Sequence, residues 1–173
     1  MNKGTFLTGK SRFEQTDVQG LWKTQDNLLY LDEDGLVYLV PRYFITDGYT
    51  IPSFVAWIAG GKMQYDTRCS TEHDFEAKYK QVIIVNLSLL QLRKMKLLKE
   101  KNGMTVCENI PKRFLKIKDT GFWETNLRFK RMLKASGLSS IRSWLLFIGT
   151  CFNLAWLWTN NKLNKTYIYK EEI

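Results

Sequence analysis

Two short apolar runs, Asn27–Leu31 (NLLYL) and Leu36–Val40 (LVYLV), flank the acidic segment Asp32–Gly35. Such runs around a turn ending in glycine predict a β-hairpin. Pro41 ends the second strand, because it has no N–H to give a ladder. Tyr43–Thr46 predicts another short strand, and Asp47-Gly48 a turn. Pro52 suits the first turn of a short helix over Ser53–Ala59, which Gly60-Gly61 breaks. From there the pattern changes to the helical period. Asp66–Lys80 predicts a helix capped by Asp66 or Thr67, with Cys69, His73 and Ala77 at i+4 steps on one face. Val82–Val85 reads as a buried strand or as a helix start. Leu87–Lys101 predicts a helix with Leu89, Leu90, Leu92, Met95, Leu97 and Leu98 on its apolar side, stopped by Asn102-Gly103. Pro111 opens a further short helix through Ile117. A helix to Ala135, capped by Asp119 or Thr120 and closed by Gly137, turns Phe122, Trp123, Phe129 and Met132 or Leu133 inward. A last helix runs from Ser139 or Ser140 to about Trp158. The segment Asn160–Ile173 is polar, with a short β-like run at Thr166–Tyr169.

The run Trp144–Trp158 (WLLFIGTCFNLAWLW) carries no charge. A spanning helix needs about 20 apolar residues, and Arg142 stops this run from growing backwards. A buried core helix is therefore expected rather than membrane insertion of 144–158. Its terminal tryptophans leave an interfacial segment or an oligomer interface as alternatives. The expected fold is one α+β domain over 1–173: β-rich over 1–50, helical over 52–158, polar over 160–173. A small N-terminal antiparallel sheet would pack on four or five helices, with the long apolar C-terminal helix buried at their centre.

Composition narrows the chemistry. The 173 residues carry a net charge of +9, with hydrophobic residues at 45% and aromatics at 14%, so this is no disordered basic tail. A single histidine excludes multi-histidine metal sites and relays. Three widely spaced cysteines without a CxxC pair argue against a disulfide framework or zinc ribbon and for a reducing compartment. The opening MNKGTFLTGK lacks an apolar h-region, so no signal peptide is expected. The charge is localised: residues 1–75 hold seven Lys/Arg against ten Asp/Glu, and residues 76–134 fifteen against five. A solvated lysine-rich helical surface accounts for such a run. So does a surface for nucleic acid or an anionic layer over 78–134, with Arg93, Lys94, Arg128, Lys130, Arg131 and Lys134 as its cations.

The most unusual segment is Thr46-Asp47-Gly48-Tyr49-Thr50-Ile51-Pro52, followed by His73-Asp74. Together with Pro41 and Phe44, "VPxxFxTDGxTIP … HD" resembles the phage and prophage family called domain of unknown function 1353. Thr50 stands where that family usually has Ser, and Tyr49 where it has Ala. A looser second block, Glu124, Asn126 and Phe129, has Asn126 in place of the usual Asp. Val82–Asn102 looks like an insertion relative to a minimal member. The resemblance implies a phage context, in the host cytoplasm or the assembled virion. It implies no established reaction.

Two readings of the motif follow from its chemistry. Asp47, Thr46 and Thr50 can satisfy local backbone donors in a turn before Pro52. With His73 and Asp74 they would then form a structural knot in an accessory or virion-associated protein. Such a protein would work through contacts with other phage or host proteins. Alternatively, Asp47, His73 and Asp74 could hold a divalent metal or act as an acid–base set in a small hydrolase. Neighbouring residues on a helix point about 100° apart, so His73 and Asp74 do not converge on one point. Cys69 and His73 share a face, but no third group orients them as a nucleophile pair. No P-loop, dinucleotide, HExxH or G-x-S-x-G motif is present.

Overall fold

A computed structural model describes residues 4–9, 12–46 and 66–159. Asp47, Gly48, Thr50, Pro52, the helix expected over Ser53–Ala59 and the polar segment from Asn160 onward lie outside them. The fold is α+β. The hairpin expected around Asp32–Gly35 is formed by β4 (Leu28–Leu31) and β5 (Val37–Val40), paired antiparallel. Its turn closes through Gly35 N–H to Asp32 C=O at 3.0 Å, with Gly35 at φ 83°, which glycine adopts without strain.

The sheet is not confined to the N-terminal third. The five-stranded antiparallel sheet has the order β1-β4-β5-β7-β10, where β1 is Thr5–Phe6, β7 is Gln81–Val85 and β10 is Leu115–Asp119. Val82–Val85 is thus a strand, bonded to β5 on one side and β10 on the other. A second sheet joins β2 (Phe13–Gln15), β3 (Trp22–Thr24) and β6 (Ile45–Thr46).

The helix expected over Leu87–Lys101 is a second correction. Only α2 (Leu89–Lys94) is helical, opened by a Ser88/Gln91 capping box. The chain then makes a hairpin of β8 (Leu98–Lys101) and β9 (Met104–Cys107). Asn102 and Gly103, at φ 52° and 73°, form its turn, so the pair is a hairpin signal rather than a helix stop. The helix expected from Pro111 is only a 3₁₀ turn at Lys112–Phe114 before the edge strand β10. Its alternation of Leu115, Lys116, Ile117 and Lys118 has the strand period.

The remaining helices are α1 (Thr67–Tyr79), α3 (Phe122–Ala135) and α4 (Ser140–Thr159). Tyr30, Tyr38, Val82 and Ile84 point into one core with Cys69, Phe129, Met132, Leu133 and Leu146. Leu29, Val37, Leu39, Ile83 and Val85 point into the other with Phe75, Leu92 and Ile110. Except at Leu28 and Val40, which join the second core beside their neighbours, alternate residues of these strands serve two cores, so β4, β5 and β7 are almost wholly apolar.

The buried apolar C-terminal helix expected from 144–158 is not what the chain forms. α4 packs on α3 at the outside of the helical layer. Ser143, Leu146, Phe147 and Thr150 are buried, while Ile141, Trp144, Ile148 and Phe152 are exposed. Among the described residues one helix packs against it, and one stripe is covered. Among the described residues no helix is long and apolar enough to cross a membrane.

Candidate functional site

The sequence of α1, TRCSTEHDFEAKY, reads as a surface helix, yet every residue from Cys69 to Ala77 is buried. Asp66 caps it by accepting from Arg68 N–H at 3.0 Å. Helix α3, strands β5 and β7 and the short β6 surround it. On a helix enclosed this way each polar side chain left unpaired costs about 1–3 kcal/mol.

His73 and Asp74 find partners on different sides. His73 lies against the Phe129 ring, with centroids 4.7 Å apart, and its Nε2 is 3.3 Å from Asn126 Oδ1. Asn126 Nδ2 donates to Phe122 C=O at 2.9 Å, so its oxygen is left to accept and His73 Nε2 carries the proton. Burial lowers the His73 pKa to about 4, keeping the ring neutral at pH 7. Asp74 instead faces β6, where its Oδ2 accepts from the Thr46 hydroxyl. Thr46 of the TDGYTIP segment thus meets Asp74 of the His73-Asp74 pair. Asn126 and Phe129 of the looser second block meet His73. Thr46 and the looser second block therefore meet α1 from two sides, and His73 and Asp74 do not converge on a common point.

Sequence reasoning missed the ionic half of the site. Arg128 is buried, so it is not part of a basic surface. Its Nη1 donates to Glu76 Oε1 at 2.5 Å and its Nη2 to Glu124 Oε1 at 3.0 Å. Its guanidinium also lies 4.2 Å from the Tyr38 ring centre. Arg131 is likewise committed, in a two-pronged pair with Asp32 at 3.0 and 2.5 Å. Tyr30 adds a hydroxyl to Asp32 at 3.2 Å. Neither Glu72 oxygen has a hydrogen-bond partner among the described residues. Burial first, and then the neighbouring Glu76 charge, push its carboxyl well above the usual range. Burial raises Glu76 to about 7, although Arg128 pulls it down. The available signal was the i, i+4 pair Glu72/Glu76 set against Arg128 and Arg131. On paper such charges read as solvated.

The other candidates are placed as follows. Arg93 and Lys94 are exposed at the end of α2, and Lys134 is exposed on α3. Lys130 Nζ sits 3.3 Å from the Trp144 ring centre. Trp123, expected in the core, is exposed. Burial pushes the Cys69 thiol far up, the opposite of what a nucleophile beside His73 needs. Among the described residues no three His, Cys, Asp or Glu side chains are grouped to hold a metal ion. Comparison with protein-family models, curated proteins and solved structures finds no match to this chain.

Proposed function

We propose that this is a phage-encoded accessory or virion-associated protein acting through contacts with other phage or host proteins. Its Thr46, His73, Asp74 and Asn126 cluster is an internal scaffold rather than a reaction centre. The phage context rests on the resemblance of the sequence blocks. The scaffold reading rests on one observation: His73, Asp74, Asn126, Glu72, Glu76 and Arg128 are all buried, each at less than a tenth of full exposure. A polar cluster without solvent access orders the elements around it. Here it ties β6 and α3 to the same helix.

The test is His73→Ala with metal analysis. Loss of the ring leaves a cavity against Phe129 and an unpaired Asn126, an expected cost of about 2–4 kcal/mol in urea unfolding. Metal content should be the same in both proteins. Stoichiometric metal in the parent that disappears from a folded His73→Ala variant would overturn the scaffold reading. Unchanged stability would do so as well.

A further inference from the structure

The α3–α4 hairpin has an outer face whose large apolar side chains are exposed among the described residues. On α3, Trp123, Leu127, Lys130 and Lys134 follow one another at i, i+4, i+7 and i+11, a single stripe. On α4, Ile141, Trp144, Ile148 and Phe152 form a second. Trp123 is 64% exposed, Leu127 44%, Ile141 75%, Trp144 48%, Ile148 46% and Phe152 75%. The stripes are neighbours, because Lys130 of the first stacks its ammonium on Trp144 of the second. Two helices side by side therefore present one broad apolar face.

Its charge has one sign. Lys130, Lys134 and Arg142 flank the apolar residues, and residues 140–159 contain no Asp or Glu. The carboxylate of α3, Glu124, is engaged by Arg128 and Lys118. Partial desolvation, and then the charge of Lys134, hold the Lys130 ammonium below its ordinary pKa, and an anion placed beside the two lysines would offset both. A second copy of the chain across a two-fold axis would bring these cations against one another. A flat anionic layer takes up both stripes at once, with tryptophan and lysine at the boundary between apolar and charged regions.

We propose that the outer face of the α3–α4 hairpin is a peripheral docking surface for an anionic lipid bilayer. The helices lie in the plane of the interface. Phe152, Ile148, Ile141 and the two tryptophans enter the acyl boundary, and Lys130, Lys134 and Arg142 meet lipid phosphates.

Vesicle co-sedimentation of the full chain tests this. Binding is expected to phosphatidylcholine vesicles containing phosphatidylglycerol and not to phosphatidylcholine alone, with a blue shift of tryptophan emission and weakening as salt rises. Lys134→Gln and Arg142→Gln should each weaken binding roughly fivefold, and Phe152→Ser with Ile141→Ser should abolish it. These positions are exposed, so unchanged melting of each variant shows that the fold is intact. Absence of binding to the anionic vesicles overturns the proposal. Binding that survives Phe152→Ser with Ile141→Ser also overturns it, as does a dimer in solution that Phe152→Ser converts to monomer, which would identify a second copy as the occupant.

Discussion

The helix α3 carries two faces of opposite logic. Toward α1 it buries an arginine, an asparagine and a threonine. Away from α1 it leaves Trp123 and Leu127 in water. Hydropathy alone places Phe129, Met132 and Leu133 inward, as they are, but would exchange Arg128 and Asn126 with Trp123 and Leu127. Position is decided by which side has structure to lean on, and each misplaced group then needs a compensating partner. On the inner side the partners are present: Glu76 for Arg128, His73 for Asn126. On the outer side, among the described residues, Trp144 has the Lys130 ammonium and Trp123 the Phe122 ring.

Substitutions should separate the two faces sharply. The largest effect is expected from Arg128→Met, which leaves Glu76 and Glu124 without their shared cation. Breaking a buried pair from one side costs about 3–5 kcal/mol, while replacing both members with apolar residues recovers most of it. Urea unfolding of Arg128→Met and of Arg128→Met with Glu76→Leu measures both. A loss below about 1 kcal/mol for the single variant would mean that the pair does not join α1 to α3. Next comes Thr46→Val, which removes the hydroxyl given to Asp74. The expected cost is about 1–3 kcal/mol by the same measurement.

The pH profile is a finer probe of the inner face. His73 binds its proton less well folded than unfolded, so its contribution is present above about pH 6.5 and is lost as the pH falls toward about 4. Glu72 and Glu76 do the reverse. Their folded pKa values are raised, so their contributions are full below about pH 4.5 and fade as the pH rises. Between pH 4.5 and 6.5 one rising and two falling contributions compete, giving a net fall of up to about 1.4 kcal/mol per pH unit. Glu72→Gln should flatten that slope, and His73→Gln should steepen it by a similar amount. Unfolding curves across this range decide it, and an unchanged slope in both variants would contradict the assigned burial. The smallest effect belongs to the outer face. Phe152→Ser should alter stability by no more than about 0.5 kcal/mol, although it replaces a large apolar residue with a polar one.

The same contrast explains what could be read in advance. The β4–β5 hairpin was legible because strand pattern and turn chemistry agree over NLLYL, DEDG and LVYLV. Leu87–Lys101 was not, because leucines spaced for a helix overlap an alternation spaced for a strand, and only the Asn102-Gly103 turn breaks the tie. The meeting of His73 with Asn126 and Phe129 was foreshadowed by the sequence blocks. The ionic half was hidden for a physical reason: Glu72, Glu76 and Arg128 carry no local sign that a sheet and two helices will close around them. Asp32 likewise reads as a turn residue until Arg131 arrives from ninety-nine positions away.

That separation sets a clock on synthesis. Glu76 precedes Arg128 by 52 residues. At a translation rate of about 5–20 residues per second, α1 waits roughly 3–10 s for the cation that makes its burial tolerable. Strand β7 must also wait for β10 before both of its edges are bonded. The N-terminal half therefore emerges from the ribosome as an open, acidic and partly apolar surface. The cations that pair with Glu76 and Asp32 both arrive with α3.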